Sequence, residues 1–273
     1  MKLRWPLRLW FALGVALPAL LETGRVFAPS APVYTQPVLA HALLALSCVG
    51  KAGSLLIASI VSSSNARAFD RGNPARRAWM ILSLAFLAFF LGQGCFAPYQ
   101  IVQGVEAPFP SIADVFWLMG YPLVVVALAS FERTYREAGL DMASPGRRLA
   151  VVAGAVLVCA VVGWLLLLPV ARAPAAPLTR AINLAYPILD LAIVVVSVAL
   201  VRITLPLAEG RVGRIWMWML GGFLAACMGD VAFSYILQLG VKFLWPLVDV
   251  LLLASYGAMA RAALSQKELA LEE

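Results

Sequence analysis

The sequence predicts an all-α fold, a polytopic membrane helix bundle of about eight transmembrane helices, and three observations carry that expectation. Apolar side chains make up 63% of the 273 residues and charged ones only 13%, where soluble domains carry about 25% charged residues; mean hydropathy is +0.90. Apolar runs long enough to cross a bilayer, about 20 residues at about 1.5 Å rise each, occur eight times. Basic residues gather in alternate loops, as retention of Lys and Arg on the cytoplasmic side requires.

The first run, Leu7–Leu21, follows Lys2 and Arg4 and precedes the small residues of Ala28 to Ala31, a pattern shared with cleaved signal peptides. An internal repeat, set out below, argues that it is retained. Val38–Val61 carries Ser47, Lys51 and Ser54 on one helical stripe, which must turn inward. Ala78–Phe96 closes on Gly92-Gln93, and Ser111–Phe131 holds Asp114, Tyr121 and Pro122. Leu149–Val170 and Leu178–Leu205 follow; the latter contains Tyr186-Pro187 and Asp190 about halfway along. Ile215–Leu239 has Gly221, Ala225 and Gly229 at intervals of four, a small-residue packing face, and then Asp230. Phe243–Leu264 holds Asp249 and Tyr256, and residues 265–273 form a short cytoplasmic tail. Pro122 and Pro187 each remove a backbone hydrogen bond and are expected to kink their helices.

With the N-terminus inside, sixteen Lys and Arg fall in cytoplasmic segments and four (Arg25, Arg172, Arg180, Lys242) in outer ones. Both termini are therefore expected in the cytoplasm. Trp5, Trp10, Trp79, Trp216 and Trp218 lie near inner ends of spans and Trp117 and Trp245 near outer ends, where interfacial anchors belong. The net charge of +7 is explained by orientation and not by nucleic acid. Cys48, Cys95, Cys159 and Cys227 sit singly in apolar runs, so neither a disulfide framework nor a thiolate metal site is indicated. With one histidine, His41, the chain cannot supply two histidine ligands to a haem.

Spans three and four resemble spans seven and eight. Gly92-Gln93-x-x-Phe96 corresponds to Gly229-Asp230-x-x-Phe233, and Asp114 leads to Tyr121, as Asp249 leads to Tyr256, at an interval of seven that shares one helix face. Lys51 and Asp190 stand at similar distances from Pro37 and Pro177. Two parallel four-helix halves, roughly 1–140 and 141–273, are expected within a single membrane domain.

A charge at mid-bilayer costs about 2.5–3.5 kcal/mol on insertion scales, so it needs a partner, a wet cavity or a proton. Depth counted by rise per residue puts Lys51 and Asp190 together, and the expectation is a salt bridge between them across the halves, supported by Ser47, Ser54 and Tyr186. Asp114 with Tyr121 and Asp249 with Tyr256 are expected to line an acidic outer vestibule near Asp230, favouring a cationic or hydroxylated ligand. Asp114 and Asp249 can equally serve as helix caps.

Pro108-Phe109-Pro110-Ser111-Ile112-Ala113-Asp114, Tyr121-Pro122, Ala185-Tyr186-Pro187 with Asp190, Gly229-Asp230, and Asp249 with Tyr256 together resemble the multi-pass N-terminal input regions of bacterial diguanylate cyclases and sensor histidine kinases. The similarity runs from about Arg77 to Ala260. It implies a sensory region of the bacterial inner membrane with an undefined ligand and no catalytic residues. Glu273 follows shortly after the last span with no cyclase or kinase module, so the expectation is either that signalling passes to a separate partner or that this is the membrane part of something once longer.

The expected function is a multi-pass sensory or small-ligand-binding module. A transporter with a mid-membrane polar site and a structural subunit of a larger membrane complex are the other readings. No H-E-x-x-H, G-x-S-x-G or glycine-rich phosphate loop is present, so no enzyme is expected. Expected partners are the lipid bilayer, a cytoplasmic signalling protein or other membrane subunits, and a second copy of the chain. No cofactor is implied.

Overall fold

The computed structural model describes residues 4–103, 108–140, 144–204 and 210–270, and these form a bundle of helices in which eight are long and apolar enough to cross a membrane. They are α1 (Trp5–Phe27), α2 (Pro37–Arg67), α3 (Pro74–Val102), α4 (Ile112–Glu137), α5 (Pro145–Arg172), α6 (Pro177–Thr204), α7 (Arg211–Leu239) and α8 (Trp245–Ala270). The described residues contain no strand. The chain is a multi-pass membrane protein of the expected class.

Local chemistry sets the helix boundaries. Pro37, Pro74 and Pro145 each stand in the first turn, where a missing N–H leaves nothing unsatisfied. Asn73 accepts from the Ala75 N–H at 2.9 Å, and Ser144 from the Arg147 N–H at 3.4 Å. Beyond α4 and α7, Gly139 (φ 76°) and Gly240 (φ 70°) take the left-handed conformation that a side chain resists. Both α4 and α6 continue through Pro122 and Pro187 as single helices. Within α1, Phe11–Ala16 forms a wider π-helical stretch, and the end of α3 does the same over Tyr99–Gln103.

Two hairpins dominate the packing, α3 on α4 and α7 on α8; α2 bridges α3 to α8 and α6 bridges α7 to α4. Helix α1 docks on α2 and α8, whereas α5 leans on α6 and leaves most of its apolar surface outward. In lipid such exposure is ordinary, because the tails are as apolar as leucine. Polar clamps tie the helices. Ser59 donates to the Ser83 carbonyl at 2.9 Å and Ser83 returns the bond to the Ser59 carbonyl at 2.8 Å. Asn65 donates to the Ala263 carbonyl at 2.9 Å.

Two expectations are corrected. Trp79 and Trp216 are not interfacial anchors: both are buried, stacked around Phe131 at 5.1 and 4.8 Å, with the Trp216 indole donating to Tyr135 at 3.1 Å. A large ring near a helix end packs inward wherever a neighbouring helix covers it. The small-residue face of α7 is also offset, since Gly221 meets nothing while Gly222 lies against Ser255 and Met259 and Gly229 against Leu252. Through Ala270 the polar tail continues α8 as a helix, and Lys267 donates to Ser64 of α2 at 2.8 Å. Residues 271–273 lie outside the described residues.

Candidate functional site

Six helices, all but α1 and α5, line one cavity of about 80 Å³. Its polar lining is Lys51 of α2, Gln93 and Gln100 of α3, Tyr121 of α4, Tyr186 and Asp190 of α6, Asp230 of α7, and Asp249 and Tyr256 of α8. Phe89, Phe96, Trp117, Phe223, Phe233 and Trp245 supply most of the rest. Seven of the eight residues expected at a site thus share one space. The exception is Asp114.

Asp114 is a cap. Its Oδ2 accepts from the Ser111 N–H at 2.5 Å and from the Ser111 hydroxyl at 3.1 Å, closing a capping box at the start of α4. Its Oδ1 accepts from the Tyr186 hydroxyl at 2.6 Å. The carboxylate therefore holds Tyr186 in place from outside the cavity lining. Tyr121 donates to Asp230 Oδ2 at 2.8 Å and stacks its ring 6.0 Å from that of Tyr186.

The expected Lys51–Asp190 salt bridge is not formed. Lys51 Nζ pairs instead with Asp249 Oδ1 at 2.6 Å, with both side chains at most 10% exposed. Counting depth by α-carbon position missed two facts. A helical side chain leans toward the N-terminus of its helix, and α2 runs inward from that end, so the long stem of Lys51 carries its charge outward to the level of Asp249. Nor do Ser47, Ser54 and Tyr186 support the bridge: Ser54 accepts from the Trp10 indole at 3.2 Å, Ser47 Oγ has no described partner, and Tyr186 serves Asp114. Glu22 of α1 is also buried, lies 3.6 Å from Arg25, and feels both Lys51 and Asp249.

Asp190 lies against Asp230 and Tyr121. On α6, which runs in the same sense as α2, its carboxyl leans outward; on the antiparallel α7, Asp230 leans inward, so the two converge. Among the described residues no cation acts on either carboxyl. Asp190, 2% exposed, leaves Oδ2 without a hydrogen-bond partner. Gln93 Nε2 and Trp117 Nε1 are likewise buried and unpaired. Leaving a buried polar atom unpaired costs about 1–3 kcal/mol, and three of the atoms in that state belong to residues that line this cavity.

Asp114, Tyr121, Asp249 and Tyr256 therefore do not form a separate outer vestibule; Tyr121, Asp249 and Tyr256 join Lys51, Asp190 and Asp230 in one space. Sequence reasoning missed Gln93 and the aromatic wall as site residues. Gln93 was within reach, because it occupies the position in the first half that Asp230 occupies in the second. Among the described residues no group of three or more His, Cys, Asp or Glu is arranged to hold a metal ion. Comparison with family models, curated proteins and solved structures returns no match.

Proposed function

We propose that this chain is a membrane-embedded sensory module which binds a small ligand in the six-helix cavity and passes the change through α8 to a partner in the cytoplasm. One observation carries the reading. The helix that contributes Asp249, Tyr256 and Met259 to the cavity continues unbroken to Ala270. Its last turns meet α2, where Lys267 donates to Ser64 at 2.8 Å, and α2 also supplies Lys51 to the cavity.

Further support comes from the equivalent pairings α3 with α4 and α7 with α8, and α2 with α8 and α6 with α4. These agree with two related four-helix halves, with the cavity at their seam. The sequence resemblance to bacterial input regions accords with the same reading and with an inner-membrane location.

The test is hydrogen exchange on the full chain in nanodiscs. Lys51→Met removes the partner of Asp249 on α8, and faster exchange over residues 264–270 is the expected result. Unchanged exchange there, with the protein folded, refutes the relay. A transporter would instead require the cavity to open to both faces.

A further inference from the structure

We infer that the ligand is a small organic ammonium ion carrying a hydrogen-bond acceptor, its cationic end against Asp190 and Asp230 and its acceptor against Gln93 and Trp117. This rests on the reading of the cavity as a ligand site and adds the chemical class. The unpaired atoms define the complement. Asp190 Oδ2 is an acceptor awaiting positive charge or a donor, whereas Gln93 Nε2 and Trp117 Nε1 are donors awaiting an acceptor.

Charge agrees with this assignment. Lys51 is matched by Asp249 at 2.6 Å, whereas Asp190 and Asp230 hydrogen-bond to each other, a contact that needs one shared proton and leaves the pair a single negative charge. The walls agree as well. Tyr121, Tyr186 and Trp117 stand 6.0 to 6.4 Å ring to ring beside those carboxyls, and aromatic faces attract alkylated ammonium ions that water solvates poorly.

Size narrows the class. A water needs about 10–15 Å³ of such space, so the cavity, at about 80 Å³, takes about five to eight water-sized groups. Choline falls in that range, whereas an acyl chain does not. A hydrated inorganic cation would leave the aromatic surface unused and bring no acceptor to Gln93 and Trp117.

The test uses choline and its uncharged isostere 3,3-dimethyl-1-butanol, titrated calorimetrically into the full chain in phosphatidylglycerol nanodiscs, which contain no choline. Choline is expected to bind at least tenfold more tightly than the isostere. Asp190→Asn should erase that preference while leaving the unfolding temperature of the empty protein near or above the original. Should this variant fail to fold, Trp117→Leu supplies the second arm and should weaken choline at least fivefold.

Nanodiscs doped with phosphatidylcholine separate the sources: competition with choline there makes a lipid headgroup the natural bearer of the ammonium. Equal binding of both probes overturns the ammonium class and keeps the ligand site. If neither probe binds, the class falls; the cavity reading falls too if Ala226→Phe, which fills the space, leaves exchange over residues 264–270 unchanged.

Discussion

Lys51 shows how side-chain length decides a pairing that backbone position suggests wrongly. A buried ion pair contributes little net stability, but removing one partner leaves an uncompensated charge and costs about 3–5 kcal/mol. Lys51→Met and Asp249→Leu are each expected to destabilise the protein by about that amount. The double variant should recover most of the loss, as scored by a double-mutant cycle on thermal unfolding in nanodiscs. Lys51→Met combined with Asp190→Leu should be additive. The sequence made Lys51, Asp190, Asp230 and Asp249 conspicuous because ionisable groups are rare in apolar spans. It did not order their partnerships, which depend on the direction each helix runs and on a few ångströms of side-chain reach.

At the scale of elements, the docking of α1 turns on Gly50. A side chain there would run into the Gly14 carbonyl on the π-helical stretch of α1 and into Leu253 of α8. Close approach of backbones is what small residues in membrane helices permit. Gly50→Ala is expected to cost about 1–3 kcal/mol, as overpacking does. Gly94→Ala, where an added methyl meets nothing, should be neutral or slightly stabilising. The same thermal-unfolding assay checks both. Helix existence was legible because eight apolar runs have no other use, but hydropathy began the third and fifth spans at Ala78 and Leu149, four residues inside the helices that start at Pro74 and Pro145. Gly50 was not legible: next to Lys51 it belongs to no repeated stripe, and only the path of α1 gives it meaning.

Across the whole molecule, burial is uneven. Leu55 at the centre is fully buried, whereas Leu157 and Leu165 on α5 are each 65% exposed. Leu55→Ala should cost about 2–5 kcal/mol, while Leu157→Ala and Leu165→Ala should each stay within about 0.5 kcal/mol, measured in the same bilayer. The expected architecture of helices in a membrane is the one observed, since composition alone restricts a chain this apolar. The aromatic wall of the cavity escaped notice because phenylalanines and tryptophans facing lipid and those facing a site look the same in sequence. Only the choice of neighbours separates Phe89, which stands 5.5 Å from Tyr121, from Phe243, which is 79% exposed.

Helix α8 has one more property, which follows from its length. Asp249 and Ala270 lie on a single rod, and 21 steps at about 1.5 Å make a lever arm of about 31 Å. Pivoted at its ion pair, a rod of that length turns a tilt of about 10° into about 5 Å of travel at the far end. Five ångströms is about one helical turn, the step by which packed helices exchange one set of contacts for the next. On the proposed relay, the stiffness of α8 would give mechanical gain: a small tilt near Lys51 would become a larger sideways displacement beside Ser64.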